Sequence, residues 1–336
     1  MKSVIMAGGL GTRLRPITDK IPKSLIPVAG KPVVFYLIES LSKVSNDFIL
    51  TVSYRYERII DLFSGSVPGN RNILFSVEKE PLGTAGGLKK VEKFIDGTFI
   101  VGNADTVFQE NVRNIVKFHK KSGNAITLGL TNVSDPSEYG VVKLKDGQII
   151  EFQEKPKENP ISNLANAGLY VMEPVVFDYI NKGKQEDVAK DLLPRLQNDK
   201  KRIGGFKMKG TWIDIGRPSD LIRANIFLAG LRARRKTGIK VTGNAYIGKN
   251  VKIGRGCKLN DVAIYDNVTI EDDVSIENSV IYDGTTVGKG SKVKNSVLSF
   301  GSVLGEGVII SDSVIGGGLL LRRGGKIEGT VVSFSE

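Results

Sequence analysis

Residues 6–32 read MAGGLGTRLRPITDKIPKSLIPVAGKP and follow a short apolar run at 4–6 that predicts a strand. Because glycine has no Cβ, the backbone N–H groups of such a turn can approach a phosphate chain closely. The small residues expected to do so are Ala7, Gly8, Gly9, Gly11 and Thr12. Arg13 offers a planar fork beside them and Lys23 a point charge, and both suit phosphate oxygens.

The glycine spacing of this stretch is ambiguous by itself. It is neither a P-loop nor a dinucleotide fingerprint, because Gly-Lys-Ser/Thr is absent and the spacing differs. A tight turn with a surface arginine would give the same pattern. The sequence Pro-Lys-Ser-Leu-Ile-Pro-Val follows at 22–28 and Gly-Lys-Pro at 30–32. The glycine turn and these two motifs together form a far more restrictive pattern than the glycines alone.

Length and composition indicate two globular domains. The 336 residues exceed one ordinary core, and 40% hydrophobic with 25% charged residues is ordinary for a globular protein. No apolar run approaches the ~20 residues of a membrane span, and the first residues do not resemble a signal peptide. The single cysteine, Cys257, offers no internal disulfide or cysteine-based zinc site. We expect a cytoplasmic protein without a membrane partner.

The net charge of +12 favours anionic partners, and polyphosphate substrates satisfy it as well as nucleic acid does. The densest basic cluster is Arg232, Arg234, Arg235 and Lys236. It ends a predicted helix, where cations complement the helix dipole, and neither interleaved aromatics nor a nucleic-acid motif accompanies it. We interpret residues 231–244 as a solvated basic linker and expect no nucleic-acid partner.

Residues 1–230 predict an α/β domain. Strands are predicted at 4–6, 48–52, 73–77, 99–101 and 125–130, and helices at 32–41, 88–94 and 112–120. This alternation predicts a Rossmann-like, mostly parallel sheet with helices on both faces and ligands at the strands' C-terminal ends. Asp146-Gly147 between apolar runs predicts a hairpin that walls one side of the site. A strand ending at Asp214 and a helix over 220–231 complete the domain.

From about Ala245 a repeat takes over. Branched aliphatic residues recur at spacings of six, six and five, a full period of 17 residues, at Ile247, Ile253, Leu259, Ile264, Ile270, Ile276, Ile281, Val287, Val293, Leu298, Leu304, Ile310 and Ile315. Each predicts one short strand on one side of a triangular prism, with its aliphatic side chain inward. Residues 245–318 thus resemble the hexapeptide left-handed parallel β-helix. Cys257 falls in a small inward slot, which predicts a packed, inert thiol.

The period is interpreted as breaking at Gly316. Residues 319–336 would then form a tail that either caps the prism or contacts another subunit. Flat β faces and two open ends favour a homo-oligomer held by the prism.

The combination at 6–32 resembles the signature of the sugar-1-phosphate nucleotidyltransferases, and later motifs match that family in order across residues 1–230. The resemblance implies a nucleobase loop of Gly83, Thr84, Ala85 and Gly86, a sugar-phosphate wall of Tyr139, Gly140, Glu154, Lys155, Asn166 and Gly168, and metal ligands Asp105 and Asp214. Glu154 would bind sugar hydroxyls and Lys155 the sugar phosphate. Ala104 departs from the family, which has glycine before the first metal ligand.

In the implied reaction a sugar-1-phosphate oxygen attacks the α-phosphorus of an NTP and expels pyrophosphate. The nucleophile is already ionised, because the second pKa of a phosphate is ~6, so no general base is needed. The obstacle to the reaction is the electrostatic repulsion between the sugar phosphate and the triphosphate. The resemblance therefore implies Mg²⁺ on Asp105 and Asp214, Arg13 on the triphosphate and leaving pyrophosphate, and Lys23 on the phosphates.

Three functions compete: a catalytic nucleotidyltransferase, a non-catalytic sugar-nucleotide-sensing regulatory subunit, and an acyltransferase built on the β-helix. The presence of Arg13, Lys23, Asp105 and Asp214 favours the catalytic nucleotidyltransferase. His119, the single histidine, lies among lysines on a predicted helix and is interpreted as a surface residue. The prism therefore lacks the histidine base that hexapeptide acyltransferases typically use.

The loop at 81–86 resembles the mannose-1-phosphate guanylyltransferase form most. GTP and mannose 1-phosphate are therefore the expected pair. Thymidylyl- and uridylyltransferases of glucose 1-phosphate carry similar loops and remain alternatives.

Overall fold

The structure is a computed structural model that describes residues 1–65, 69, 71–231 and 241–333. The predicted basic cluster at 232–236 lies outside the described residues. The chain forms two compact units, Met1–Gly9 with Val33–Trp212, and Leu10–Pro32 with Ile213–Glu336. The division in chain order at 230, 244 and 318 stays a prediction.

Strands and helices alternate along much of the chain up to residue 231. The strands up to residue 214 are β1 (Ser3–Met6), β2 (Pro27–Val28), β3 (Lys31–Pro32), β4 (Asp47–Val52), β5 (Asn72–Val77), β6 (Phe99–Asn103), β7 (Thr106–Phe108), β8 (Ile126–Asn132), β9 (Gly140–Lys145), β10 (Gln148–Glu154), β11 (Leu164–Met172), β12 (Ile203–Lys207) and β13 (Trp212–Asp214). The α-helices are α1 (Ile17–Lys20), α2 (Val33–Leu41), α3 (Tyr56–Gly65), α4 (Gly83–Val91), α5 (Val112–Ser122), α6 (Leu193–Asn198) and α7 (Pro218–Leu231). Short 3₁₀ helices span Thr12–Leu14, Lys23–Leu25, Glu92–Phe94, Pro136–Glu138 and Pro174–Tyr179, and a π-helix spans Val188–Leu192.

The remaining strands belong to the C-terminal repeat. They are β14 (Val241–Ile247), β15 (Lys252–Ile253), β16 (Lys258–Ile264), β17 (Thr269–Ile270), β18 (Ser275–Ile281), β19 (Thr286–Val287), β20 (Lys292–Lys294), β21 (Val297–Leu298), β22 (Val303–Leu304), β23 (Ile309–Ser311), β24 (Val314–Ile315), β25 (Leu320–Leu321), β26 (Lys326–Glu328) and β27 (Val331–Val332).

In the described part of the first unit, nine strands form one sheet in the order β5-β4-β1-β6-β11-β8-β12-β10-β9. The strands β5, β4, β1 and β6 run parallel, as does β12 beside β8, and the other neighbours are antiparallel. Val4 and Val101 share a buried cluster with Leu88 of α4. Gly102, the next residue along β6, faces Leu37 of α2. Because neighbouring strand residues point to opposite faces, α2 and α4 cover opposite faces of the sheet, which confirms the α/β class.

The predicted hairpin is formed by β9 and β10. Both turn residues, Asp146 and Gly147, have positive φ values of 49° and 76°. Such values suit the tight turns whose twist matches the flanking strands.

In the second unit the C-terminal strands pair in parallel from coil to coil around an axis, as a β-helix does. Ile253 pairs with Ile270 and Val287 with Leu304, at the 17-residue period. The predicted inward aliphatic residues from Leu259 to Ile315 belong to one buried cluster, and Ile247 and Ile253 pack against it partly buried. Cys257 packs against that cluster and its Sγ donates to the Glu271 carbonyl at 3.0 Å, which confirms the packed thiol.

The interpretation of a break at Gly316 is wrong. Leu304 pairs with Leu321, Ile310 with Ile327 and Ile315 with Val332, so the described tail continues the coil. Glycines at 316–318 and arginines at 322 and 323 hid the aliphatic positions that keep the period. None of the described helices combines the length and apolar character needed to cross a bilayer.

Candidate functional site

The glycine turn begins at the carboxyl end of β1 in the first unit. Strand β1 lies between β4 and β6. The amide of Ala7 donates to the Thr51 carbonyl at 2.9 Å, and the amide of Ala104 donates to the Met6 carbonyl at 3.0 Å. A Cβ at Gly9 would meet no atom within 4 Å. The turn therefore leaves open space beside its backbone, as a phosphate-binding turn requires.

The next part of the signature lies in the second unit, and its conformation depends on Gly11. This residue has φ +64°, and a Cβ there would lie 2.9 Å from the Thr18 methyl group and 3.0 Å from the Lys23 Cβ. Thr18 Oγ1 also donates to the Gly11 carbonyl at 2.9 Å. The close approach makes glycine necessary, and the 3₁₀ helix that follows buries Leu14 while Thr12 and Arg13 stay exposed.

Lys23 and Asp214, predicted as phosphate cation and metal ligand, form an ion pair within the second unit. Lys23 Nζ lies 3.4 Å from Asp214 Oδ1, with side-chain exposures of 15% and 27%. Asp220, in the first turn of α7, belongs to the same electrostatic neighbourhood. Burial raises its pKa, and Arg223, Arg217 and Lys23 counter that rise. Sequence reasoning missed Asp220, because an acid in a first helical turn is common.

In the first unit, Gly83–Gly86 form the start of α4 and are closely covered by another segment. Gly83 has φ +71°, and a Cβ there would lie 2.4 Å from the Glu186 carbonyl oxygen. A Cβ at Gly86 would lie equally close, 2.4 Å, to the Lys184 carbonyl oxygen. The amides of Ala85 and Gly86 donate to the Glu186 carbonyl at 2.9 and 3.1 Å. Both glycines are thus required by the segment at 184–186, whatever else the loop contacts.

Glu186 is held in place by a bidentate ion pair. Arg195 donates to its two carboxylate oxygens at 2.8 and 2.9 Å, and Asn181 donates to it from both its side chain and its backbone. The Arg195 hydrogen bonds, chiefly, lower the pKa of Glu186 to about 2. The buried carboxylate thus anchors the residue whose backbone carbonyl accepts from the predicted nucleobase loop, and sequence reasoning missed it because no local motif marks it.

Asp187 bonds to the predicted nucleobase loop and acts electrostatically on Glu154 of the predicted sugar wall. Thr84 Oγ1 donates to Asp187 Oδ2 at 2.7 Å and accepts from the Val188 amide at 2.8 Å. Burial raises the pKa of Glu154; Lys155 counters that rise, and the charge of Asp187 adds to it. The structure therefore brings Thr84 and Glu154, from two different predicted groups, beside one carboxylate that the sequence did not single out.

Tyr139, Gly140, Glu154 and Lys155 of the predicted sugar wall lie at the open end of the β9–β10 hairpin. Gly140 is the register partner of Glu154, and a Cβ at Gly140 would lie 2.7 Å from Glu154 Oε2. Lys155 has φ +46°, its amide donates to the Tyr139 carbonyl at 3.1 Å, and its Nζ lies 3.9 Å from Glu154 Oε1. The missing side chain at Gly140 thus makes room for the Glu154 carboxylate.

A register shift in β11 places the third sugar-wall segment. The Gly168 amide donates to Asn166 Oδ1 at 3.1 Å, and Asn166 Nδ2 donates to the Tyr170 hydroxyl at 2.8 Å. Trp212 Nε1 donates to the Ala167 carbonyl at 3.0 Å. Its ring also packs edge-on against Tyr139, with centroids 5.4 Å apart, so Trp212 joins two parts of the wall.

The predicted metal ligand Asp105 lies in the turn that follows β6. A Cβ at Gly168 would lie 2.3 Å from Asn103 Nδ2, so this strand end abuts the shifted part of β11. Asp105 and Asp214 are each half-buried, and carboxylate oxygens at such positions are donors that a hard divalent cation accepts. Among the described residues, no group of three or more His, Cys, Asp or Glu side chains is placed to hold a metal.

The assignment of His119 to the surface is wrong. The ring is 1% exposed, with Nδ1 2.8 Å from Thr127 Oγ1 and Nε2 3.1 Å from Glu173 Oε1. Burial lowers its pKa, and Glu173 opposes that shift. Val112, Ile115 and His119 are the buried residues of α5, a helical spacing that the neighbouring lysines concealed.

Comparisons with known proteins agree on one family. The sequence model of the family described as nucleotidyl transferase matches residues 2–230, and that of the GMPPB C-terminal domain matches residues 231–332. The chain is 37% identical over 265 residues to mannose-1-phosphate guanyltransferase 2 of Candida glabrata, covering 75% of this chain and 73% of that protein.

Solved structures of related proteins are also similar to this chain. One is described as a glucose-1-phosphate thymidylyltransferase from Bacillus anthracis in complex with sucrose, with a TM-score of 0.62 and 28% identity over 71% of this chain and 98% of the other. Another is HddC from Yersinia pseudotuberculosis in complex with GMP-PN, with a TM-score of 0.59 and 30% identity over 68% of this chain and 99% of the other.

Proposed function

This chain belongs to the nucleotidyl transferase family, and from that premise we propose that it joins GTP and mannose 1-phosphate into GDP-mannose. The reaction class is nucleotidyl transfer from an NTP to a sugar 1-phosphate, with release of pyrophosphate. The observation that carries the choice of substrates is the 37% identity to a mannose-1-phosphate guanyltransferase over 75% of this chain. The loop at 81–86, of the form expected for that activity, supports it.

Catalysis by this chain consists of charge neutralisation and positioning. The sugar phosphate is already ionised near neutral pH, so its oxygen can attack without a base. Lys155 would hold the sugar phosphate and Glu154 the sugar hydroxyls. Arg13 would neutralise the triphosphate and the departing pyrophosphate, and Lys23 would bind phosphate oxygens.

We propose Asp105 and Asp214 as the residues that hold Mg²⁺. Their oxygen donors fit this ion, which commonly takes one or two carboxylates together with substrate phosphates. When bound, the cation would neutralise phosphate charge. Lys23, 3.4 Å from Asp214, supplies charge beside the same carboxylate.

The likeness to a glucose-1-phosphate thymidylyltransferase favours a second candidate pair, dTTP with glucose 1-phosphate. A regulatory, non-catalytic role is less well supported, because Arg13, Lys23, Asp105 and Asp214 are all present. We further propose a homo-oligomer held through the β-helix, which light scattering would test. The lone cysteine fits a reducing cytoplasm.

The test is a grid of pyrophosphate-release assays with GTP, dTTP and UTP against mannose 1-phosphate and glucose 1-phosphate, with Mg²⁺. We expect the highest kcat/KM for GTP with mannose 1-phosphate. Asp214→Asn, assayed in parallel, shows that the release belongs to this chain. A clear preference for dTTP or UTP would overturn the proposed substrates, and no release with any pair would overturn catalysis.

A further inference from the structure

A row of aromatic side chains runs along one side of the β-helix. The members of this aromatic row are Tyr246, Tyr265, Tyr282 and Phe300. Their successive ring centroids are 5.1, 4.7 and 4.7 Å apart. Tyr265 and Tyr282 directly follow Ile264 and Ile281, which point into the core, so the tyrosines face outward. They are nevertheless only 3% and 0% exposed, so another part of the second unit covers them.

The covering element is the β2–β3 hairpin, the last part of the signature at 6–32. Ala29 and Gly30 at its tip have φ values of 42° and 88°. A Cβ at Gly30 would lie 2.5 Å from the Tyr246 hydroxyl oxygen, so the tip is in close contact with the row. The Tyr282 hydroxyl donates to the Pro27 carbonyl at 2.9 Å. Two coils of the β-helix, those of Tyr246 and Tyr282, therefore contact different parts of one hairpin.

Asn225 of α7 completes this contact and is fully buried. Its Oδ1 accepts from the Ala29 amide at 2.9 Å and from the Tyr265 hydroxyl at 2.7 Å. Its Nδ2 donates to the Leu221 carbonyl at 2.9 Å. One buried amide thus links the hairpin, the helix and the β-helix, and such a satisfied polar group specifies a single arrangement.

The two partners of the Lys23–Asp214 ion pair lie a few residues before two of the elements that Asn225 links. Lys23 lies in the 3₁₀ helix just before the hairpin, and Asp214 lies just before α7. Because a lysine ammonium sits on a flexible stem, its placement depends on the backbone from which it extends. The hydrogen bonds at the aromatic row therefore hold the two elements, hairpin and α7, that follow Lys23 and Asp214 in the chain.

We infer that Asn225 and the hydroxyl groups of Tyr265 and Tyr282 are positioning residues for Lys23, so that the β-helix takes part in phosphate binding at a distance. The inference rests on the proposed function, which assigns Lys23 to phosphate oxygens. Removing one such hydroxyl forfeits one hydrogen bond and is expected to reduce kcat/KM about twofold to tenfold.

A double-mutant cycle tests the link to Lys23. Tyr282→Phe and Tyr265→Phe keep the packed aromatic rings and delete only the hydroxyls. Each should lower kcat/KM in the wild-type background and have almost no effect in the Lys23→Ala background, because the group they position is gone. Tyr179→Phe deletes a hydroxyl that donates to Asp199 at 2.6 Å in the first unit, and should leave kcat/KM unchanged in both backgrounds. Equal reductions in both backgrounds would overturn the inference.

Hydrogen exchange in the substrate-free protein tests positioning without any assay of activity. The amides of residues 10–32 should exchange faster in Tyr282→Phe and Tyr265→Phe than in the wild type, and at the wild-type rate in Tyr179→Phe. Unchanged exchange in both row variants would refute the inference. Faster exchange in a protein that releases no pyrophosphate with any substrate pair would support positioning and refute the proposed function.

Discussion

The Asp214 carboxylate shares an ion pair with Lys23 while most of its side chain is covered, with 27% exposed. Asp105, half-buried in the turn after β6, is the other carboxylate proposed for Mg²⁺.

We predict that Asp105→Asn and Asp214→Asn each reduce turnover with Mg²⁺ by a factor on the order of 100, because a bound cation's charge stabilisation is lost. Pyrophosphate release at saturating substrates measures this. The matched control is Asp19→Asn, which removes an exposed carboxylate paired with Arg15 at 3.1 Å and should change little. Near-full activity of either test variant would show that its ligand assignment is wrong.

His119 makes the stability of the protein depend on pH in a defined direction. Its pKa is lowered in the folded state, so the unfolded chain binds the proton first as the pH falls. The contribution of neutral His119 is therefore fully present above its unfolded pKa of about 6.5 and is lost as the pH drops below that value. We predict a falling Tm between about pH 7 and pH 5, measured by thermal unfolding.

The control is His119→Gln, which keeps a polar side chain but removes the titrating group. Because the chain has a single histidine, this variant should flatten that part of the Tm profile. An equal slope in both proteins would assign the pH dependence to other groups.

Among the elements, the start of α4, the predicted nucleobase loop, is held by a segment about 100 residues further along the chain. Gly83 and Gly86 lie against carbonyl oxygens at 184–186, and Glu186 is itself clamped by Arg195. The glycines therefore serve the packing of the loop, in addition to any contact with a nucleobase.

We predict that Gly83→Ala destabilises the protein by about 1–3 kcal/mol, because a Cβ would combine a left-handed φ with a 2.4 Å approach to the Glu186 oxygen. Urea unfolding measures the change. Gly97→Ala is the control, since a Cβ there meets nothing within 4 Å. Equal stability of the two variants would mean that the segment at 184–186 can move away from the new Cβ without a loss of unfolding free energy.

At the scale of the whole molecule, the chain order and the compact units do not coincide. Residues 10–32 belong with 213–336, so the exposed Arg13 and the Lys23–Asp214 pair share a unit with the β-helix. A β-helix used only for assembly would be dispensable for turnover. The hydrogen bonds from Tyr265 to Asn225 and from Tyr282 to the Pro27 carbonyl are the basis on which we infer that turnover needs it.

We predict that deleting residues 241–336 lowers turnover at least about tenfold, although every proposed catalytic and metal-binding residue remains in the fragment. The physical reason is the loss of several buried hydrogen bonds and of the packing on the hairpin. Circular dichroism would check that the fragment keeps folded structure while pyrophosphate release is measured. Full activity of the folded fragment would limit the β-helix to assembly.

Local periodicity and motif order in the sequence were sufficient for the α/β domain, the β9–β10 hairpin and the 17-residue coil. These features repeat over short distances, because a strand alternates every two residues and each coil pairs with the next. The same order of motifs identified the family and proposed Arg13, Lys23, Asp105 and Asp214 before any contact was known.

Only the tertiary structure decided the burial of His119, the roles of Glu186 and Asp187, and the attachment of the signature hairpin to the β-helix. Each depends on contacts between residues far apart in the chain, and Tyr282 and Pro27 are separated by 255 positions. A hydrogen bond over such a distance leaves no periodic trace, because the two residues need only meet once the intervening chain has folded. The tyrosines therefore read in sequence as ordinary outward positions of a coil, and their partners as ordinary turn residues.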